Sequence, residues 1–278
     1  MSQASPPARI NPLDWDLGNV PPGIPWGGVD EAGRGAWAGP VVAACAVLDP
    51  ACVARWGHVL RSARDSKRLQ PDRREVLAAE LRTVLPAWSV VEVDNLAVDR
   101  ENILEATLSA MRGAVRGLGI VPRILFVDGD RAPRSGLPER LVVDGDVLSC
   151  AVACASILAK AHRDAWMREQ GARWPDYGFA RHKGYGTPEH RGALDRLGPS
   201  PIHRLSYRPV AARLRPDEAL RDRLRETLDR PASVEDLKSW VEQELRPAYG
   251  QLKPLWVETL RRRYAERLAQ LAAGEGLE

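Results

Sequence analysis

The sequence predicts an α/β layered domain followed by a helical extension, and three observations carry that reading. Short apolar segments alternate with stretches of helical period. Acidic residues fall where those segments end or where a helix begins, the place where ligand crevices form in open α/β sheets. Beyond Pro209 the strand pattern stops and charged segments of helical period take over.

Element by element, Ile24 to Asp30 and Val41 to Leu48 predict strands joined by a Gly-rich turn, the second buried on both faces because its apolar run is unbroken. Gln70-Pro71-Asp72 opens a helix that runs through Leu81 and stops before Pro86, since proline suits a first turn and breaks an interior. Trp88 to Val93 alternates as a strand. Glu101 to Val115 spaces Ile103, Leu104, Thr107, Leu108, Met111 and Val115 at helical period. Arg123 to Asp128 is a further apolar strand ending on a carboxylate and Gly129, and Leu141 to Val143 is short and extended. Asp144-Gly145-Asp146 then precedes one long helix of small residues reaching Trp166. After Pro209, Asp217 to Leu228, Ser233 to Leu245 and Leu255 to Leu271 predict three helices. The expected organisation is a Pro-rich flexible tail over 1–22, a layered α/β domain over 23–212 and a helical extension over 213–278.

Composition narrows the function. At 278 residues, 44% hydrophobic and 28% charged, the chain can bury a full core. No run of about 18 apolar residues occurs, and Met1 to Pro22 has no continuous apolar stretch of signal-peptide length. A soluble, cytoplasmic, monomeric protein without membrane contact is expected. Cys45, Cys52, Cys150 and Cys154 lack zinc-site spacing, and Cys150 and Cys154 fit a buried helix face. The net charge of +3 is too small to imply a nucleic-acid partner by itself. Its distribution says more: seven Lys/Arg face three acids between Gly171 and Val210, a plausible phosphate-facing surface, whereas thirteen basic residues balance thirteen acidic ones after Val210. Arg261-Arg262-Arg263 is a local basic patch within that balanced tail.

The run from Gly28 to Pro40 sets the carboxylates Asp30 and Glu31 just before Gly33-Arg34-Gly35. An acid pair beside a glycine turn can hold a divalent cation next to a phosphodiester, because main-chain N–H groups reach the substrate there. Hydrolysis of such a bond needs a positioned water, charge neutralisation and help for the leaving oxygen, which two ions about 3.5–4 Å apart supply. Hard ions select oxygen ligands, so Asp30, Glu31, Asp128 and Asp146 suit Mg²⁺ or Mn²⁺. Each acid has a structural alternative: Asp146 as a helix N-cap, Asp128 as a turn residue.

Further motifs follow in order: Asp65-Ser66-Lys67, Val127-Asp128-Gly129, Gly145-Asp146, Ala155 to Lys160, Arg163-Asp164, Tyr177-Gly178-Phe179, His182-Lys183-Gly184-Tyr185 and His203-Arg204. With the Gly28–Pro40 run they make Gly27 to Val210 resemble ribonuclease HII. The resemblance implies the ribonuclease H-like fold, a mixed sheet flanked by helices, with Asp30, Glu31, Asp128 and Asp146 as catalytic metal-binding carboxylates. It implies as substrate the RNA strand of an RNA–DNA hybrid, or a single ribonucleotide embedded in duplex DNA and cut on its 5′ side to leave 3′-hydroxyl and 5′-phosphate ends. By the same resemblance Gly33, Arg34 and Gly35 read the ribonucleotide and Tyr185 packs on the following sugar. Lys67, Lys183 and Arg204 are candidate phosphate contacts, with Lys67 equally part of a capping segment. Asp164, about 27 Å of helix rise beyond Asp146, is expected in a structural ion pair. Asp144 and Trp37 depart from the family pattern. Two other readings compete: a ribonuclease HIII-type enzyme, disfavoured by the short segment before Gly27, and a catalytically silent hybrid-binding module, disfavoured by the presence of all four acids.

Overall fold

A computed structural model describes residues 10–63, 69–213, 217–248, 252 and 254–275. Lys67 and its neighbours Asp65 and Ser66 lie outside the described residues. The chain forms two compact units, 1–190 and 191–278.

The first unit is built on one five-stranded sheet in the order β3-β2-β1-β4-β5, from β1 (Trp26–Ala32), β2 (Val41–Leu48), β3 (Ala87–Val93), β4 (Ile124–Asp128) and β5 (Glu139–Val142). β2 runs antiparallel to both β1 and β3, while β4 is parallel to β1 and β5 to β4, which is the expected mixed sheet. Side chains alternate across it. Trp26, Val42, Ala44, Ala46, Leu48 and Phe126 share one core with the long helix α7 (Cys150–Arg173) and with Leu77 and Leu81 of α3 (Pro71–Val84). Val29, Ala43, Cys45, Leu125 and Val127 share the other core with Ala110, Met111 and Ala114 of α5 (Ile103–Arg116). All eight residues of β2 are buried, the consequence of helices on both faces.

α7 crosses β1 without side-chain spacing. A Cβ on Gly28 would lie 2.1 Å from the carbonyl carbon of Ala151, so only glycine allows this approach. In the first turns of α7, Ala151, Ala153, Cys154 and Ala155 are fully buried.

Four helices correct the sequence reading. The stretch expected as one helix from Asp146 is two, α6 (Gly145–Leu148) and α7, separated at extended Ser149, whose side chain caps α7 by accepting from the Val152 N–H. Likewise α4 (Asn95–Glu101) and α5 break at Asn102, held at φ 72°, where its side chain accepts from Leu104 and Glu105 N–H. Sequence periodicity missed α2 (Pro50–Leu60), announced only by Asp49 capping Cys52 ahead of Pro50. The supposed flexible tail holds α1 (Pro12–Asn19), capped by Asn11.

That helix delivers the buried carboxylate Asp16, whose Oδ2 accepts from the indole Nε1 of Trp26 at 3.0 Å and from the Ala151 N–H at 2.9 Å. The second contact lies at the N-terminus of α7, where unsatisfied N–H groups and the helix dipole favour an anion. α1 therefore fastens the start of β1 to the start of α7.

Short helices complete the unit: α8 (Phe179–His182) and α9 (Pro188–Leu197), the latter running past residue 190. In the second unit α10 (Arg208–Ala211) precedes a helical group, α11 (Asp217–Leu228), α12 (Val234–Trp240) with a π-helical turn over Val241–Leu245, α13 (Arg246–Ala248) and α14 (Pro254–Glu275). Leu224, Leu228, Leu237, Trp256 and Leu260 give it a core of its own, with the buried guanidinium of Arg221 lying 4.2 Å over the Trp256 ring. Within the basic patch Arg263 pairs with Asp229 and Arg262 lies near Glu266, so two of the three cations face acids of their own unit.

Burial raises the Asp16 pKa from 3.8 to about 6, against the lowering effect of its hydrogen bonds. A raised carboxyl pKa makes the charged form a cost that is complete above pH 6 and gone below pH 4, on the order of 3 kcal/mol. Asp16→Asn, which can still accept both bonds, is expected to gain stability relative to the wild type as pH rises from 4 to 8. Urea denaturation across that range checks it, and a constant difference would mean that Asp16 does not titrate there.

Candidate active site

β1 and β4 run parallel with Val29 opposite Val127, so the next residues on each strand are Asp30 and Asp128, at the same end of the sheet. Glu31 follows Asp30 on β1. The carboxylate of Asp128 accepts from the Gly145 N–H at 2.7 Å, which fastens α6 and its buried Asp146 to the end of β4. Asp146 sits inside the first turn of α6 and is not an N-cap; that position belongs to Asp144 in a left-handed conformation.

Asp30 is the most constrained of the four. Burial, then the charges of Glu31 and of Asp128, push its pKa well above the carboxylate range, opposed by a hydrogen bond from Ser156 of α7 and one from the Glu31 N–H at 2.6 Å. Glu31 reaches Arg34 at 3.5 Å. Among the described residues no three His, Cys, Asp or Glu side chains are arranged to hold an ion. The donor set itself fits one: all four are hard oxygen donors, and a divalent cation would offset the repulsion that raises Asp30.

The turn after β1 and the loop carrying Tyr185 are joined by Arg163, a residue the sequence reading placed in a motif without giving it a role. Its fully buried guanidinium donates to the carbonyls of Pro40 at 2.9 Å, Ala38 at 2.9 Å and Lys183 at 3.0 Å. Gly33, at φ +94°, makes room for it, since a Cβ there would lie 2.0 Å from Nε. The Trp37 N–H donates to the Gly184 carbonyl at 2.8 Å, a second tie between the same two segments, and the Trp37 ring lies over Gly186. Tyr185 is half-buried, with the cations of Lys160 and Arg163 at 5.5 and 5.4 Å from its ring centroid.

The family profile of Ribonuclease HII matches residues 27–210. The chain belongs to the ribonuclease HII family. Ribonuclease HII of Pelotomaculum thermopropionicum is 50% identical over 186 residues, 67% of this chain and 68% of that protein. Ribonuclease HII of a Polaromonas species is 44% identical over 208 residues, 75% of this chain and 99% of that protein. The crystal structure of ribonuclease H2 from Pyrococcus horikoshii superimposes with a TM-score of 0.59 at 27% identity, covering 68% of this chain and 97% of that one. Membership makes the protein a ribonuclease H-type hydrolase that acts on RNA–DNA hybrids, of a divalent-metal-dependent class. Among the described residues no helix is long and apolar enough to cross a membrane.

The remaining residues singled out in the sequence divide. Asp164 is an ion-pair residue, bonded to Arg74 at 3.0 Å and Lys160 at 2.6 Å. Lys183 folds its ammonium onto the Ala180 carbonyl, and burial lowers its pKa. Arg204, in the second unit, is fully buried with Nη1 on the Tyr207 hydroxyl at 3.0 Å. That corrects the expectation of a phosphate-facing guanidinium, because the side chain is fully buried and engaged with Tyr207. Arg34 and Asp144 are exposed.

Arg163→Met is expected to destabilise the protein by about 3 kcal/mol or more, because three buried carbonyls lose their donors together. Denaturant unfolding of the variant measures this; a loss under about 1 kcal/mol would mean that water replaces the guanidinium.

Proposed function

We propose that this protein cuts on the 5′ side of single ribonucleotides embedded in duplex DNA as well as within longer hybrids, leaving 3′-hydroxyl and 5′-phosphate ends. Asp30, Glu31, Asp128 and Asp146 are its catalytic carboxylates and hold two divalent ions, Mg²⁺ or Mn²⁺. Bound there, the ions supply charge neutralisation and water activation. The observation that carries the reading is the charge crowding at Asp30, whose burial beside Glu31 and Asp128 calls for a cation.

The chain's own residues do the rest. Gly33, Arg34 and Gly35 turn main-chain groups toward the ribonucleotide, whose 2′-hydroxyl distinguishes RNA from DNA. Arg34 adds a cation near the scissile phosphate, Lys67 and Lys183 serve as contacts to backbone phosphates, and Tyr185 packs on the next sugar. The Gly145 N–H keeps one Asp128 oxygen engaged, which fixes that carboxylate in one orientation. Ser156 orients Asp30 in the same way. We further propose that the protein works as a cytoplasmic monomer, with the catalytic domain over residues 23–212 and the helices after it as a separate extension.

The test is duplex DNA holding one ribonucleotide, incubated with the wild type and with Asp128→Asn, with and without Mn²⁺. Metal-dependent cleavage 5′ of the ribonucleotide is expected for the wild type. The variant should lose about a hundredfold or more in rate while still binding a hybrid. Wild-type cleavage at another position, or near-normal turnover by the variant, would defeat the proposal.

A further inference from the structure

The loop that carries Tyr185 is built on two histidines that the proposed chemistry does not use. The rings of His182 and His190 stack at 4.3 Å with 11° between their planes, and Phe179 closes on both edge-on at 5.8 and 5.7 Å. Each is engaged with main chain. His182 Nε2 faces the Tyr177 carbonyl at 2.7 Å and its Nδ1 accepts from the Gly184 N–H at 3.1 Å, while His190 Nδ1 faces the Tyr185 carbonyl at 3.0 Å. A carbonyl only accepts, so the facing nitrogens carry protons, and for His182 the two partners fix the tautomer.

Burial lowers the pKa of both rings, His190 to about 4 with the neighbouring imidazole adding to the effect. The stack is therefore uncharged at neutral pH. Above it the chain turns sharply through two left-handed residues, Lys183 at φ 53° and Gly184 at φ 82°. Tyr185 closes that turn by donating its N–H to the His182 carbonyl at 2.9 Å. The main chain of Tyr185 is thus gripped on both sides, by residue 182 through its N–H and, through its carbonyl, by His190 from the side and by the Thr187 N–H at 2.8 Å.

We propose that His190, seated on His182, is a positioning residue for Tyr185: its Nδ1–H holds the Tyr185 carbonyl so that the ring presents one fixed face to the sugar beyond the ribonucleotide. The proposal rests on the reading of Tyr185 given above. A loop freed from this bond still binds hybrid through its other contacts but orients the junction poorly, so the loss falls on kcat more than on KM.

The test is a double-mutant cycle on duplex DNA containing one ribonucleotide, using His190→Leu, His190→Asn, Tyr185→Ala and the pair His190→Leu with Tyr185→Ala. Tyr185→Ala and His190→Leu are each expected to lower kcat about tenfold, with KM within about twofold. His190→Asn, whose amide N–H can take the place of Nδ1–H, should recover most of the rate. In the Tyr185→Ala background His190→Leu should add nothing. If His190→Leu fails to fold, His182→Asn keeps the bond to Gly184, removes the stacked ring, and should likewise lose its effect once Tyr185 is Ala. Multiplying losses, or no rescue by a folded His190→Asn, would overturn the proposal while leaving the role of Tyr185 standing. An unchanged rate for Tyr185→Ala alone would overturn the reading of the tyrosine and the proposal with it.

Discussion

The buried guanidinium of Arg163 is the constraint on which the site depends. It stands on the sheet-packed helix α7 and donates to three carbonyls drawn from two different segments, Ala38 and Pro40 on one side and Lys183 on the other. An arginine taken out of water is costly unless its donors are met, and these bonds meet them with main chain that would otherwise be unsatisfied itself. The glycine turn after β1 and the tyrosine loop are consequently held in one register by this side chain, together with the Trp37 N–H bond to the Gly184 carbonyl. Neither segment has the regular hydrogen bonding to hold that register alone.

Through α7 the same helix organises nearly everything else near the acids. Its N-terminus receives Asp16 and so fixes α1, its backbone lies directly on Gly28, its Ser156 bonds Asp30, and its Lys160 and Asp164 reach Tyr185 and Arg74. A helix that touches a strand backbone to backbone leaves little freedom in their separation. Asp30 is thus buried at a depth set by packing, and its closeness to Glu31 and Asp128 follows from the strands. The charge crowding that favours a cation is a by-product of the fold's own geometry.

Much of this was legible in the sequence. Strands with unbroken apolar runs such as Val41 to Leu48 could be read directly, and so could the acids at strand ends, because period and position reflect burial and topology. The errors were local. Asn102 and Ser149 each end one helix and cap the next, which hydrophobic period does not register. α1 was hidden because its eight residues carry few apolar positions and are anchored by a buried carboxylate instead. Arg163 and the histidine stack were equally invisible, since an arginine or histidine bonded to main chain looks in sequence like any surface or catalytic one. Arg204 shows the converse, read as a phosphate contact yet buried against Tyr207.

The central claim is that the strand-end acids share charge until a divalent cation joins them. Calorimetric titration of the wild type and of Asp30→Asn with Mn²⁺, in two buffers of different ionisation enthalpy, tests it most directly because it counts protons as well as ions. Metal binding to a carboxylate of raised pKa displaces its proton. The account expects wild-type binding to release protons, more of them at a lower pH than at a higher one, and Asp30→Asn to bind weakly with that release gone. Equal affinity in both proteins, or binding without any proton release at the lower pH, would contradict it.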